Sequence, residues 1–248
     1  MTPDKQAFPS VWTRPRKERR EQPVLSRGQI VKAALELLDA EGLEALSMRK
    51  LGARLNAGAT SMYSHVANKD ELIELVVDEV FGEIEIPGEG ESVEWRAAVR
   101  RCARSLRAAF LRHPWVASVL GEAGLAYLGP NMMRFSDAML GVFEDAGFSL
   151  EQADQAVTTV GAYTMGVAIT EAAWLTTVNR SGQSEQEWME RLLPAAEEAA
   201  RDAYPRLQRL YAAQRARGAK GGALDDSFDD GLASVLDGLE ARRKAGGA

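Results

Sequence analysis

The side chains with the clearest chemical potential lie between Ser47 and Lys69. Positions 45–69 carry Arg49, Lys50, Arg54 and Lys69 without a single Asp or Glu, and they interleave hydroxyls at Ser47, Thr60, Ser61 and Tyr63. Cations and hydroxyls gathered on one short stretch suit phosphate oxygens and the edges of bases. Leu51, Leu55, Ala57 and Met62 fall where two short helices joined by a tight turn would pack together, which is the spacing of a helix-turn-helix. Gly52 occupies the place where only a small side chain lets the two backbones approach. Asn56 takes the turn position that requires positive φ, a conformation Asn tolerates better than any residue but Gly. Tyr63 has a plain reading as a packed aromatic. His65 reads as a structural residue closing the short second helix.

No other part of the chain assembles a chemical site of comparable definition. The 248 residues hold two histidines, His65 and His113, and one cysteine, Cys102. There is no Gly-rich phosphate loop, no cofactor motif and no metal-ligand spacing, so a helical enzyme lacks its catalytic constellation. A helical adaptor that holds a protein partner in an apolar groove is the other alternative. Cys102 sits at helical spacing among apolar residues and reads as a small core residue. The net charge is −6, which at first argues against a polyanionic partner. The distribution reverses that argument: residues 1–25 form an arm with Lys5, Arg14, Arg16, Lys17, Arg19 and Arg20 against Asp4, Glu18 and Glu21. A basic end on an acidic body is the footprint of a module that meets nucleic acid at one end. The arm itself reads either as a solvated tail or as a segment tracking the minor groove. Neither a membrane span nor a secretory leader is visible, and the expected compartment is the cytoplasm.

The elements that must position these groups are all helical, since no run of strict alternation is long enough for a strand. Ser26 with Gln29 forms a capping box opening a helix through Ile30, Ala34, Leu37 and Leu38, ended by Gly42. Ser47 caps a second helix to about Leu55, and a third spans about Thr60 to His65. Asn68 with Glu71 opens a fourth through Leu72, Leu75, Val76 and Phe81. The stretch from Gly82 to Ser92, with Pro87, Gly88 and Gly90, breaks the period and marks a joint. The expected organisation is therefore an arm over 1–25, a three-helix helix-turn-helix domain over 26–82, and a larger helical domain over 92–243. Within the latter, a fifth helix runs from about Ser92 to Arg112, and Pro114 forces a new start near Trp115. A helix with Met132, Phe135, Met139 and Phe143 ends at Gly147. Capping boxes at Ser149/Gln152 and Ser184/Glu187 open two more helices, the first reaching about Thr177. Arg217 to Ala223 reads as a Gly- and Lys-rich connection, and Asp225 to Arg243 as a last amphipathic helix.

Leu38-Asp-Ala-Glu-Gly42, Ser47-Met-Arg-Lys-Leu51, Met62-Tyr63, His65-Val66 and Asn68-Lys69, followed by a leucine-rich helix, resemble the DNA-binding signature of the TetR family. Gly147-Phe-Ser-Leu-Glu-Gln-Ala-Asp and Val160-Gly-Ala-Tyr-Thr-Met-Gly166 are similar to the eighth helix of its tetracycline-repressor branch. The resemblance implies a ligand-responsive repressor that leaves its operator when a small organic effector binds. It also implies a homodimer through residues 149–177 and 225–243, whose two-fold axis sets two recognition helices about 34 Å apart. Carried over by position, Arg49 reaches a base edge or phosphate, and Ala59, Thr60 and Ser61 form the base-facing start of the recognition helix. Ser47, Tyr63 and Lys69 contact phosphate. Ala59, Thr60 and Ser64 depart from the residues of the tetracycline repressors, so the resemblance does not carry their operator over to this chain.

For the effector, the resemblance points to Cys102, Leu106, Met132, Phe135, Met139, Val157 and Gly161 as cavity residues, with His113 and Trp115 flanking the hinge. The competing reading of each is plain core. Thr170 stands where the tetracycline repressors place a metal-binding Glu, and no His follows His113. The implied effector is metal-free and apolar.

Overall fold

The computed structural model describes residues 25–88, 94–120, 128–217 and 223–246. The arm before Leu25, the expected helix start at Ser92, most of the loop before Pro130 and the connection over 218–222 lie outside the described residues. The described architecture is all-α. Its helices are α1 (Arg27–Glu41), α2 (Met48–Arg54), α3 (Ala59–Tyr63), α4 (Lys69–Gly82), α5 (Trp95–Arg112), α6 (Val116–Leu120), α7 (Pro130–Asp145), α8 (Leu150–Ser181), α9 (Glu185–Ala200), α10 (Pro205–Arg217) and α11 (Ala223–Gly246), with a 3-10 turn at Leu43–Ala45.

Local chemistry fixes most boundaries. The capping boxes at Ser26/Gln29, Ser149/Gln152 and Ser184/Glu187 form in both directions, and each cap is worth about 1 kcal/mol. The one at Asn68 differs from expectation: Asn68 Oδ1 accepts from the Glu71 amide at 2.7 Å, but the Glu71 carboxylate accepts from Ala67, one residue earlier, at 3.0 Å. Gly147 at φ 86° ends α7 in a left-handed turn, in which Phe148 N–H donates to Phe143 and Gly147 N–H to Glu144. Phe148 then packs edge-on against Phe143, the apolar contact that accompanies this termination.

Three boundaries depart from the sequence reading. α3 starts a residue early and stops at Tyr63. α8 continues to Ser181, with Thr176 and Thr177 bonding back to the carbonyls of Ala172 and Ala173, and Gly182 stops it in the left-handed region. α10 was not expected: its apolar residues Leu207 and Leu210 are exposed among Arg and Gln, so the sequence shows no strong core-facing stripe. α9 and α10 pack mainly on each other and touch the body where Trp188 meets Trp174 of α8 at 6.4 Å.

Two packed groups share α4. α1 lies on one side of it, and α5 and α7 on the other. Within the body, α5 packs most extensively on α8, and α11 lays Phe228, Leu232, Leu236 and Leu239 into the core. An antiparallel arginine ladder joins α5 to α11: Arg96 to Asp237 and Glu240, Arg104 to Asp229, and Arg107 to Asp225. Arg107 is the buried rung. Its fork also meets Glu171 of α8 through two hydrogen bonds of 2.7 Å, and its guanidinium lies over the Phe228 ring.

Removing one partner of such a pair strands the other charge in the core. Arg107→Ala is expected to lower unfolding free energy by about 3–5 kcal/mol, whereas Arg104→Ala, at an exposed rung, should cost about 1 kcal/mol or less. Urea unfolding of both variants measures the difference.

Candidate nucleic-acid interface and its coupling to the helical body

The helix pair at the N-terminal end is closed from inside. Leu51, Met62 and Val66 are fully buried between α1, α2 and α3. Ala57 N–H donates to Gly52 O at 2.8 Å, and a Cβ on Gly52 would stand only 3.0 Å from the Ala57 carbonyl oxygen. Gly52 thus admits the turn as well as the partner helix. Asn56 has φ 49°, the only non-glycine positive φ among the described residues. With the inner face filled, Ser47, Arg49, Thr60, Ser61, Tyr63 and Lys69 are left exposed on the outside. Tyr63 is 53% exposed, which removes the packed-aromatic reading. Ala59 supplies the first residue of α3.

The four bases of this segment are not equivalent. Lys50 pairs with Glu41 of α1, and Arg54 with Glu36 of α1 at 3.1 Å. Arg49 and Lys69 have no acidic partner among the described residues. The exposed guanidinium and ammonium available to an anion are therefore those at the two sequence-predicted positions. Ser47 Oγ accepts from the Lys50 amide at 3.2 Å as the cap of α2, and its own O–H remains able to donate outward.

The residues expected around an effector fall into two groups. Cys102, Leu106 and Met139 are buried in one apolar cluster, with Met132, Phe135 and Val157 packed half-buried against it. Gly161 lies half-buried on the same helix as Val157, one turn on. Burial pushes the Cys102 thiol up to about 12, so it remains a neutral, unreactive thiol. His113 and Trp115 are placed differently: both are buried, and their polar atoms face the DNA-side helices. His113 Nδ1 lies 2.7 Å from Asp39 Oδ1 of α1 and Nε2 lies 3.2 Å from the Glu83 carboxylate at the end of α4. Trp115 Nε1 donates to the same Asp39 oxygen at 2.8 Å. An open groove of about 780 Å³ along α5, with Arg100, Arg101, Arg104 and Arg112 among its walls, includes none of the predicted effector residues.

A second joint connects α4 to α7. Asp78 of α4 is buried, and its carboxylate accepts from the Asn131 and Met132 amides at 3.0 Å each and from the Asn131 side chain at 3.1 Å. It serves as the anion at the N-terminus of α7. Burial raises the pKa of Asp78, an effect those hydrogen bonds only partly offset. Gly129 is required here, because a Cβ would fall inside the Asp78 side chain. One turn along, Phe81 of α4 meets Phe135 of α7 at 5.7 Å. Sequence reading missed Asp39, Asp78 and Glu83 because acids on helices read as solvated faces. The detectable signal was Asp78, which interrupts the apolar stripe of α4 at helical spacing from Leu75.

The profile of the tetracyclin repressor-like C-terminal domain matches residues 87–243, and that of the bacterial regulatory proteins of the tetR family matches residues 30–76. The chain belongs to the TetR family. A transcriptional regulator of helix-turn-helix type from Saccharopolyspora erythraea is 40% identical over 165 residues, 66% of this chain and 69% of its own. The transcriptional repressor DrrR1 of Streptomyces coeruleorubidus is 32% identical over 226 residues, 91% of this chain and 81% of its own. Among solved structures, apo ActR from Streptomyces coelicolor shares the fold with a TM-score of 0.74 at 29% identity, covering 91% of this chain and all of ActR. ActR has also been solved in complex with actinorhodin, with a TM-score of 0.73 at 30% identity over 88% of this chain and 96% of ActR. As a TetR protein this chain is a transcriptional regulator, and its relatives form a family of regulators rather than enzymes.

The sorting of bases in this TetR helix-turn-helix predicts unequal losses. In fluorescence-anisotropy titrations against a bound operator, Arg49→Ala should cost about 1–3 kcal/mol. Lys69→Ala should weaken binding evenly across sequences and reduce the salt slope by about 1. Lys50→Ala, already neutralised by Glu41, should lose less than either. At the α4–α7 joint, Gly129→Ala should lower stability by about 1–3 kcal/mol through overpacking, measured by urea unfolding.

Proposed function

We propose that this TetR protein is a cytoplasmic repressor that holds its operator as a homodimer and releases it when a metal-free, apolar organic effector binds the body. The observation that carries this reading is the placement of α7. Its first turn brings Met132 into the apolar cluster and is bolted through Asn131 and Met132 to Asp78 of α4, the helix whose opposite end presents Lys69. An effector that shifts this turn therefore shifts α4, and with it the helix-turn-helix.

Dimerisation through residues 149–177 and 225–243 is supported by the faces those helices leave outside. α8 exposes Leu150 and Ile169 beside the small Ala162, Gly166 and Ala173, and α11 exposes Ser234, Gly238 and Ala241. Small residues let the helices of a second copy approach closely. A five-residue recognition helix reads only a few base pairs, so two copies are needed for a specific site. The actinorhodin complex of ActR supports a small organic effector, and the methionines at 132 and 139 suit an apolar ligand because flexible thioethers adapt to irregular shapes. Thr170, exposed on α8 and bonded back to Gly166 at 2.8 Å, offers no charge to a metal chelate.

The test is an operator-release assay. Operator-bound protein is titrated with actinorhodin and with a panel of apolar organic compounds, with and without magnesium. Release by at least one of them, unchanged by chelation of the metal, is expected. Operator DNA should then weaken effector binding by the same factor, typically about 5–150-fold. Magnesium-dependent release would overturn the metal-free reading, and unaltered operator affinity across the series would overturn the apolar effector.

A further inference from the structure

The joint around His113 has a charge requirement of its own. Both ring nitrogens face carboxylates: Nδ1 meets Asp39 on α1 and Nε2 meets Glu83 at the end of α4. Asp39 also accepts from the Trp115 indole, and Glu83 accepts from Arg112 of α5 at 2.7 Å. Partial burial pushes Glu83 upward, yet its hydrogen bonds from Arg112 and His113 outweigh this and hold its carboxyl below the ordinary range. An ionised carboxylate can only accept, and a neutral imidazole has only one N–H. Two ionised acceptors on one ring are satisfied together only by the imidazolium.

Resting on the operator-binding reading above, we propose that His113 is a pH-sensitive lock between the helix-turn-helix and the body, closed in its doubly protonated form and loosened when it loses a proton. The titratable and charged groups facing the ring are Asp39 from α1, Glu83 from α4 and Arg112 from its own helix. The proton at Nε2 leaves first, since that contact is the longer, at 3.2 Å against 2.7 Å. Deprotonation then turns the Nε2 lone pair toward the Glu83 carboxylate. Attraction becomes repulsion at the C-terminal end of α4, while the Asp39 contact persists. The lock is complete at mildly acidic pH and is lost as pH rises through the imidazole titration. Raising pH thereby loosens α4 from the body at this joint and lowers operator affinity in the absence of any effector.

The chain makes the test clean because its only other histidine is His65. In a His65→Gln background, operator affinity is measured at constant ionic strength from about pH 6 to about pH 8.5, the range in which histidine changes charge. Affinity is expected to fall by about tenfold, the equivalent of one charge-assisted hydrogen bond, and adding His113→Gln should flatten the profile. A decline that survives His113→Gln, or a flat profile with His113 present, overturns the proposal. Nitrogen-15 NMR of the ring in the DNA-free His65→Gln protein provides the second reading, independent of operator binding and of whether the His113 variant folds. Two protonated nitrogens at about pH 6 and loss of the Nε2 proton at higher pH are expected. A neutral ring throughout overturns the lock even if the operator reading stands. Titration of the ring as expected, in a protein that binds no operator, leaves the lock and removes the reading on which its regulatory role rests.

Discussion

From Glu71 to Asp78, α4 has no side chain facing solvent. A helix buried on every side must satisfy whatever polar groups it carries from its neighbours, and its carboxylates do so by fastening the elements around it. Glu71 ties down the chain entering the helix, Asp78 receives the first turn of α7, and Glu83 just past its end receives His113 and Arg112. The apolar side chains between them fill the space against α1 on one side and α5 and α7 on the other. α4 therefore belongs to both packed groups, and neither can move without disturbing its contacts.

This arrangement ties the small helix-turn-helix surface to the helical body. The helix-turn-helix is a short structure held by Leu51, Met62 and Val66, with little area of its own to bury. Its position depends on α1 and α4, which are held to the body at two charged joints beside the apolar contacts of Phe81 with Phe110 and Phe135. Hydrogen bonds to ionised groups are directional and break over short displacements. A modest movement of α7 is enough to alter the joint at Asp78.

The body shows the complementary solution. Arg96, Arg104 and Arg107 pair with acids of α11 in an order that fixes its register against α5, and Tyr163 stacks on Phe228 while donating to its carbonyl at 2.8 Å. Gly231 leaves room for that tyrosine. These interactions set α11 beside α8, leaving outward the faces proposed for a second copy.

The sequence by itself determined what is local. Capping boxes repeat over three or four residues, Asn56 stands where the turn needs positive φ, and Leu51 and Met62 follow helical spacing, so the helix-turn-helix and nearly every helix start were legible. The exposed residues proposed to meet DNA were legible too, because the motif fixes which face is filled. Tertiary structure alone decided which bases have no acidic partner among the described residues, since Lys50 and Arg54 are claimed by α1 acids nine and eighteen residues away. It decided that His113 and Trp115 face Asp39, more than seventy residues earlier, and that Asp78 seats α7. It also revealed α10, which is held by α9 rather than by an apolar stripe of its own. Periodicity encodes which side of a helix is apolar, but not which distant charge arrives there, because that depends on how the helices cross.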